Sequence, residues 1–153
     1  MERNNSRPSS TGQSVVASTN TIEQLLKFVK GERVEEYDLF SLNGLIKKFA
    51  GVEQNDTKIS QLRRFYDDIV TLDDNQNFGD SEIDSRLTRI IPLARYSHAR
   101  GNLDENLRDF LDKSIGVISK ERDSTRKRDM LSRMRRVMEA IVAYKKEVKR
   151  GDR

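Results

Sequence analysis

The sequence contains no cysteine and a single histidine, His98. The first absence excludes a disulfide scaffold, a thiolate zinc site, an iron–sulfur cluster and a cysteine nucleophile. The second excludes, within one protomer, a multi-histidine metal site and any histidine relay. His98 lies in a Tyr-Ser-His-Ala-Arg stretch near a helix end and reads as a surface or capping residue rather than a catalyst. The eight glycines are scattered singly, so no phosphate-cradling loop is present. Carboxylate pairs such as Asp67–Asp68 and Asp73–Asp74 are adjacent, which on a helix turns them about 100° apart and makes no acid–base pair. Nothing here supports catalysis, and no catalytic residue or cofactor is assigned. No apolar run reaches the ~18 residues of a membrane span, and none follows the N-terminal basic residues. An unsecreted, cytoplasmic protein with no membrane partner is expected.

What the sequence has is charge. Charged residues make up 35% of the 153, as many as the hydrophobic ones, where ~25% is usual. The core is therefore thin. The net charge of +4 is unevenly spread. Residues 120–153 hold 13 Lys/Arg and 6 Asp/Glu, a net of +7; residues 1–119 carry 16 basic and 19 acidic residues, a net of −3. Such asymmetry points to a polyanionic partner, most often nucleic acid, or else to a solvated helix face.

Residues 1–20 are rich in Ser, Thr, Asn, Pro and Gly and cannot bury enough apolar surface to offset their ordering entropy. They read as a disordered tail before one helical domain, residues 21–150. Asn20 and Glu23 form a capping box for a short helix with Ile22, Leu25, Leu26 and Val29 on one face, ended by Gly31. Ser41 caps a second short helix, with Leu42, Leu45, Ile46 and Phe49 in phase and Gly51 at its end.

A third helix follows Asp56 or Thr57, with Ile59, Leu62, Phe65, Tyr66, Ile69 and Leu72 as its buried stripe. The loop 73–81 alternates Asp73, Asn75 and Asn77 like the start of a calcium loop. Phe78 stands where glycine is required and Asp84 where glutamate is, so calcium is rejected. A fourth helix begins near Ser81 with Ile83, Leu87, Ile90, Ile91 and Ala94. Pro92 predicts a kink or break near 88–92, and Gly101 ends the segment.

Asn102 caps a fifth helix with Leu103, Leu107, Phe110, Leu111, Ser114 and Ile118 on one face. Acidic Asp104 and Glu105 open it and Lys120 and Arg122 close it, matching the helix dipole. In the sixth, from about Asp123 to Lys149, Met130, Met134, Val137, Ile141, Tyr144 and Val148 are spaced 4, 3, 4, 3, 4. Leu131, Met138 and Val142 widen that seam. No strand pattern appears. The fold class is all-α, a compact bundle of four longer helices and two short N-terminal ones.

The basic residues are patterned too. Helix six carries Arg126, Lys127, Arg128, Arg133, Arg135, Arg136, Lys145, Lys146 and Lys149, of which Arg126, Arg133 and Lys145, with Arg136 or Lys149 alongside, recur at nearly whole turns off its apolar seam. Helix three adds Lys58 and Arg64; helix four adds Arg89, Arg95 and Arg100. With antiparallel neighbours these predict one rigid basic ridge suited to a phosphate backbone, read by shape and charge. The acids after residue 120 are too few to pair most of these cations.

Three segments carry a family likeness. Val137-Met138-Glu139-Ala140-Ile141-Val142-Ala143-Tyr144-Lys145 resembles the C-terminal signature of the small subunit of the Csm complex, the type III-A CRISPR RNA-guided effector. Ser60-Gln61-Leu62-Arg63-Arg64-Phe65-Tyr66 resembles that family's Leu-Arg helix, and Tyr96-Ser97-His98-Ala99-Arg100 its Tyr-x-Ala-x-Arg-like element. They occur in the family's order, over roughly residues 45–150.

The resemblance implies a non-catalytic helical bundle, stacked in several copies as a minor filament beside the guide-carrying backbone subunit. Basic faces then line the channel holding the guide RNA–target RNA duplex, while the backbone and large subunits do the chemistry. By position, Arg63, Arg100 and Lys145 match the family's basic sites, and charge and helical phase add Lys58, Gln61, Arg64 and Arg95. The seam of helix six leaves a homodimer of the isolated chain open. The competing class is a helical protein–protein adaptor with an incidental basic surface.

Overall fold

The computed structural model describes residues 10–42, 44–49 and 57–151. Its C-terminal helix organises the rest. The elements are α1 (Ser10–Lys30), α2 (Glu36–Phe40), α3 (Ile59–Asp74), α4 (Asp80–Ala99), α5 (Glu105–Lys120) and α6 (Ser124–Gly151), with no strand among the described residues. This is the all-α bundle that the periodicity predicts. α6 packs against α3 through one flank and against α1 and α5 through others, while α4 packs on α5 and α3. Met130, Leu131, Met134, Val137, Met138 and Ile141 are all buried, so the widened seam serves several neighbours at once. Each such side chain contributes on the order of 1.5–3 kcal/mol by leaving water.

Capping chemistry sets the helix ends. Asp123 precedes α6 and its carboxylate accepts the Arg126 amide at 2.9 Å. α1 ends in a Schellman turn: Gly31, at φ +83°, gives its amide to Phe28 O, and Glu32 reaches Lys27 O. α4 ends the same way at Gly101, φ +76°, with Asn102 N on Ser97 O. Asn102 is thus committed to closing α4. The cap of α5 is Asp104 instead, whose side chain accepts from Asn106 N at 2.8 Å.

Three further expectations are corrected. The first helix does not start at Asn20: α1 begins at Ser10, so the tail expected over residues 1–20 gives way to helix at that point, and residues 1–9 lie outside the described residues. Ser41 does not cap a second helix. The short helix is α2, and Ser41 follows it. Beyond it the chain doubles back, with Leu45 N on Asp38 O and Ile46 N on Leu39 O. Gly44 permits this return, because a Cβ there would lie 2.6 Å from Leu39 O. Ile46 and Phe49 still reach the core, and Phe49 meets Phe110 edge-to-face at 6.2 Å. Gly51 and Asp56 lie outside the described residues.

Finally, α4 runs unbroken through Pro92, which is exposed. The carbonyl that loses its donor belongs to Thr88, also on the exposed side.

Candidate nucleic-acid interface

α3 and α4 lie antiparallel, because the start of α3 is tied to the α4–α5 connection. The Lys58 amide donates to Asn102 O at 3.0 Å, and the buried Thr57 hydroxyl accepts the Asp104 amide at 2.8 Å. Thr57 therefore serves this tie, and α3 starts without a side-chain cap. His98 Nδ1 is 2.8 Å from Leu103 O, a donor role that braces the same turn. One turn into α3, Gln61 Oε1 accepts from Ser97 Oγ at 3.2 Å.

Around this tie lies a strip of mostly exposed side chains, cationic but for Leu93, Tyr96 and the half-buried Gln61. From α3 come Lys58, Gln61 and Arg64; from α4 come Arg89, Leu93, Tyr96 and Arg100 at helical spacings of 4, 3 and 4. Lys58, Arg63, Arg64 and Arg89 make no side-chain hydrogen bond or salt bridge among the described residues. Arg63 lies about 100° round α3 from Arg64, away from the flank that Gln61 shares with Ser97. Arg100 Nη1 donates to Tyr96 Oη at 3.0 Å and its guanidinium sits 5.6 Å from that ring's centroid.

Further along the α3–α4 groove, Asp68 and Thr71 face Arg86, Arg89 and Leu93 across a cavity of about 210 Å3 floored by Leu72 and Ile90. Burial pushes the Asp68 carboxyl up from its ordinary pKa; Arg64 opposes this and Asp67 adds to it.

The other expected cations go elsewhere, and the single ridge predicted from sequence divides. Arg95 turns to α5, 2.6 Å from Asp112. Arg126 is exposed at the start of α6. Arg133 Nε donates to Val29 O at 3.0 Å, closing the end of α1. Arg136 stacks 5.1 Å from both Phe28 and Phe40 and pairs with Glu36 at 3.0 Å. Lys145 is buried at 6% exposure rather than presented on a surface.

Residues absent from the expected site behave likewise. Arg128 donates to the carbonyls of Leu72, Asn75 and Phe78, closing the C-terminus of α3. Arg135 bridges Asp73 and Asp74, at 3.1 and 2.6 Å. Its pKa is raised, chiefly by the Asp74 hydrogen bond. The acids that neutralise α6 come from α2, α3 and α4, which a count confined to residues after 120 does not include. The Asp73 carboxylate of the rejected calcium loop is one of them. Tyr96 is the site residue that charge reasoning passes over; its exposure beside a spaced row of arginines on α4 is the signal.

Among the described residues no three histidine, aspartate or glutamate side chains converge on a metal position. No helix there is long and apolar enough to cross a membrane. The fold is an all-α bundle that carries a cationic face across two of its helices. The Csm2 Type III-A family model matches residues 36–150, and the chain belongs to that family. It is a small subunit of the type III-A CRISPR effector complex, from a family of structural subunits that associate with the other Csm components. No curated protein and no solved structure matches the chain.

Proposed function

We propose that this subunit holds RNA without catalysing its cleavage. In this reading several copies stack beside the backbone and large subunits in the cytoplasm, and the α3–α4 strip contacts the phosphates of the guide RNA–target RNA duplex. Lys58, Gln61, Arg64 and Arg100 carry the contact, with Arg89 extending it. The observation that supports this is the division of the cations. Arg133, Arg135 and Arg136 hold the bundle together, whereas Lys58, Arg64 and Arg89 face solvent without a hydrogen-bonded partner among the described residues. A cationic face fixed on two rigid helices suits backbone contacts read by shape.

The test is RNA retention by the reconstituted complex as salt rises. Changing Lys58, Arg64 and Arg100 together to Ala is expected to lower affinity and to reduce the log–log salt slope by roughly 0.9 for each phosphate no longer neutralised. An unchanged slope with intact helicity overturns the assignment. A helical adaptor would bind the other subunits while these substitutions left RNA retention unchanged.

A further inference from the structure

We infer that Tyr96, with Leu93 beside it, is a stacking platform for one unpaired base of the bound RNA. Tyr96 is 61% exposed and Leu93 37%, adjacent on the outer flank of α4. A lone exposed apolar residue needs no account. This ring differs in two respects. It is already oriented, since Arg100 both hydrogen-bonds its hydroxyl and sits over the ring. It also lies inside the cationic strip, with Arg89 and Arg100 on either side. Those two residues are 11 positions apart, about 16 Å along the helix axis, so the chain can meet a guanidinium before and after the ring. The groove between Asp68 and Arg89 continues the apolar surface of Leu93 into the bundle and gives a displaced base space at the platform's edge.

The geometry separates two kinds of RNA contact. Paired bases keep their faces inside the stack, so a duplex held by its phosphates offers nothing to an aromatic ring. An unpaired nucleotide presents a π-face, which aromatic and guanidinium surfaces take without regard to sequence. The strip therefore has phosphate-binding groups for either RNA and a ring that only an unpaired nucleotide uses. The inference rests on the RNA-holding reading above and adds the part of the ligand that Tyr96 contacts.

The experiment uses the reconstituted complex and two RNAs of equal charge, one fully paired and one with a single unpaired 5-iodouridine. Ultraviolet crosslinking followed by peptide mapping is expected to join the iodouridine to Tyr96. The Tyr96→Leu variant is expected to bind the unpaired RNA about five- to a hundred-fold more weakly and to lose less on the paired RNA, where only the placing of Arg100 is affected. Tyr96→Phe, which keeps the ring and removes only the hydroxyl, is expected to retain both. Equal weakening on both RNAs, or no crosslink at Tyr96, overturns the platform. So does a Tyr96→Leu variant that retains RNA but no longer co-purifies with the other subunits, since the ring is then a protein contact. If the Lys58, Arg64 and Arg100 substitutions also leave RNA retention intact, the RNA-holding reading itself has failed; if they lower it, only the platform has.

Discussion

Lys127, 2% exposed, places its ammonium 2.6 Å from Asp84 Oδ1 and so joins α6 to α4. The pair bridges 43 residues of sequence beside an open cleft lined also by Asp80, Ser119 and Arg122. Removing two charges from water offsets most of what their attraction contributes, whereas removing one partner strands the other. Asp84→Ala is expected to destabilise the chain by about 3 kcal/mol, at the low end of the range for buried pairs because its side chain is one-third exposed. Lys127→Met, which fills the same space with an apolar chain, is expected to cost less than the Asp84 variant. Urea unfolding followed by circular dichroism compares them, and equal losses would contradict this asymmetry.

Gly31 and Arg133 form a second long-range tie. Gly31 adopts φ +83°, and a Cβ there would lie 2.7 Å from Arg133 Nη2. Gly31→Ala must bear left-handed strain of roughly 1–2 kcal/mol and displace the guanidinium from Val29 O. Arg133→Ala removes a charged hydrogen bond, worth about 1.5–3 kcal/mol. Because both act on one tie, the double variant is expected to be destabilised by less than the sum of the singles. Additive effects in thermal melts would show that the two sites are independent. RNA retention at a temperature where Arg133→Ala stays folded is expected to match the unsubstituted complex, which separates a bracing arginine from an RNA-contacting one.

The apolar stripes of α3, α5 and α6 were legible because burial follows helical period: Leu62, Phe65, Ile69 and Leu72 are buried, as are Leu107, Phe110, Leu111 and Ile118. What stayed hidden depends on residues far apart in sequence. The burial of Lys127 requires Asp84, and the engagement of Arg135 requires Asp73 and Asp74; no local pattern announces either partner. Caps misled for a related reason. Asn102 suits a cap by type, but it closes α4, its backbone amide on Ser97 O, and the residue whose side chain caps α5 is Asp104, two positions later. Residues 10–19 lack an apolar stripe, so helix formation there left no periodic signal. For the candidate site, charge and helical phase proposed Lys58, Gln61, Arg64 and Arg95, and the family resemblance Arg63, Arg100 and Lys145; the fold sends Arg95 to Asp112 and buries Lys145. They could not tell that Arg133 and Arg136 are engaged by α1 and α2.

Asp68 gives the groove a pH dependence whose sign follows from its cause. Burial raises its folded-state pKa above the unfolded value, so the folded chain binds the extra proton. Between the unfolded pKa, about 3.9, and the raised one, this group makes stability fall as pH rises. Above both values its penalty is fully present. Asp68→Asn removes it and is expected to increase stability at pH 7 relative to pH 4 more than the unsubstituted chain allows. It also removes a negative charge from the edge of the cationic strip, so RNA affinity at pH 7 is expected to rise. Urea midpoints across pH 3.5–7 check the first effect; a steeper fall with pH in the Asn variant contradicts it.

Arg63 and Arg64 provide the sharpest test of which flank meets RNA. They are neighbours in sequence and identical in chemistry, so composition, net charge and long-range steering are the same for either substitution. They differ in direction by about 100° around α3. Arg64 lies three residues from Gln61, whose amide oxygen meets Ser97 of α4, and four from Asp68 in the groove. Arg63 points away from that flank. If the α3–α4 strip is the RNA face, Arg64→Ala weakens RNA retention by several-fold more than Arg63→Ala and lowers the salt slope by about 0.9, the value for one phosphate, while both variants unfold at similar urea concentrations. The reverse order would move the RNA face to the other flank of α3, toward α6, and would put Arg63 in place of Arg64 against the phosphates.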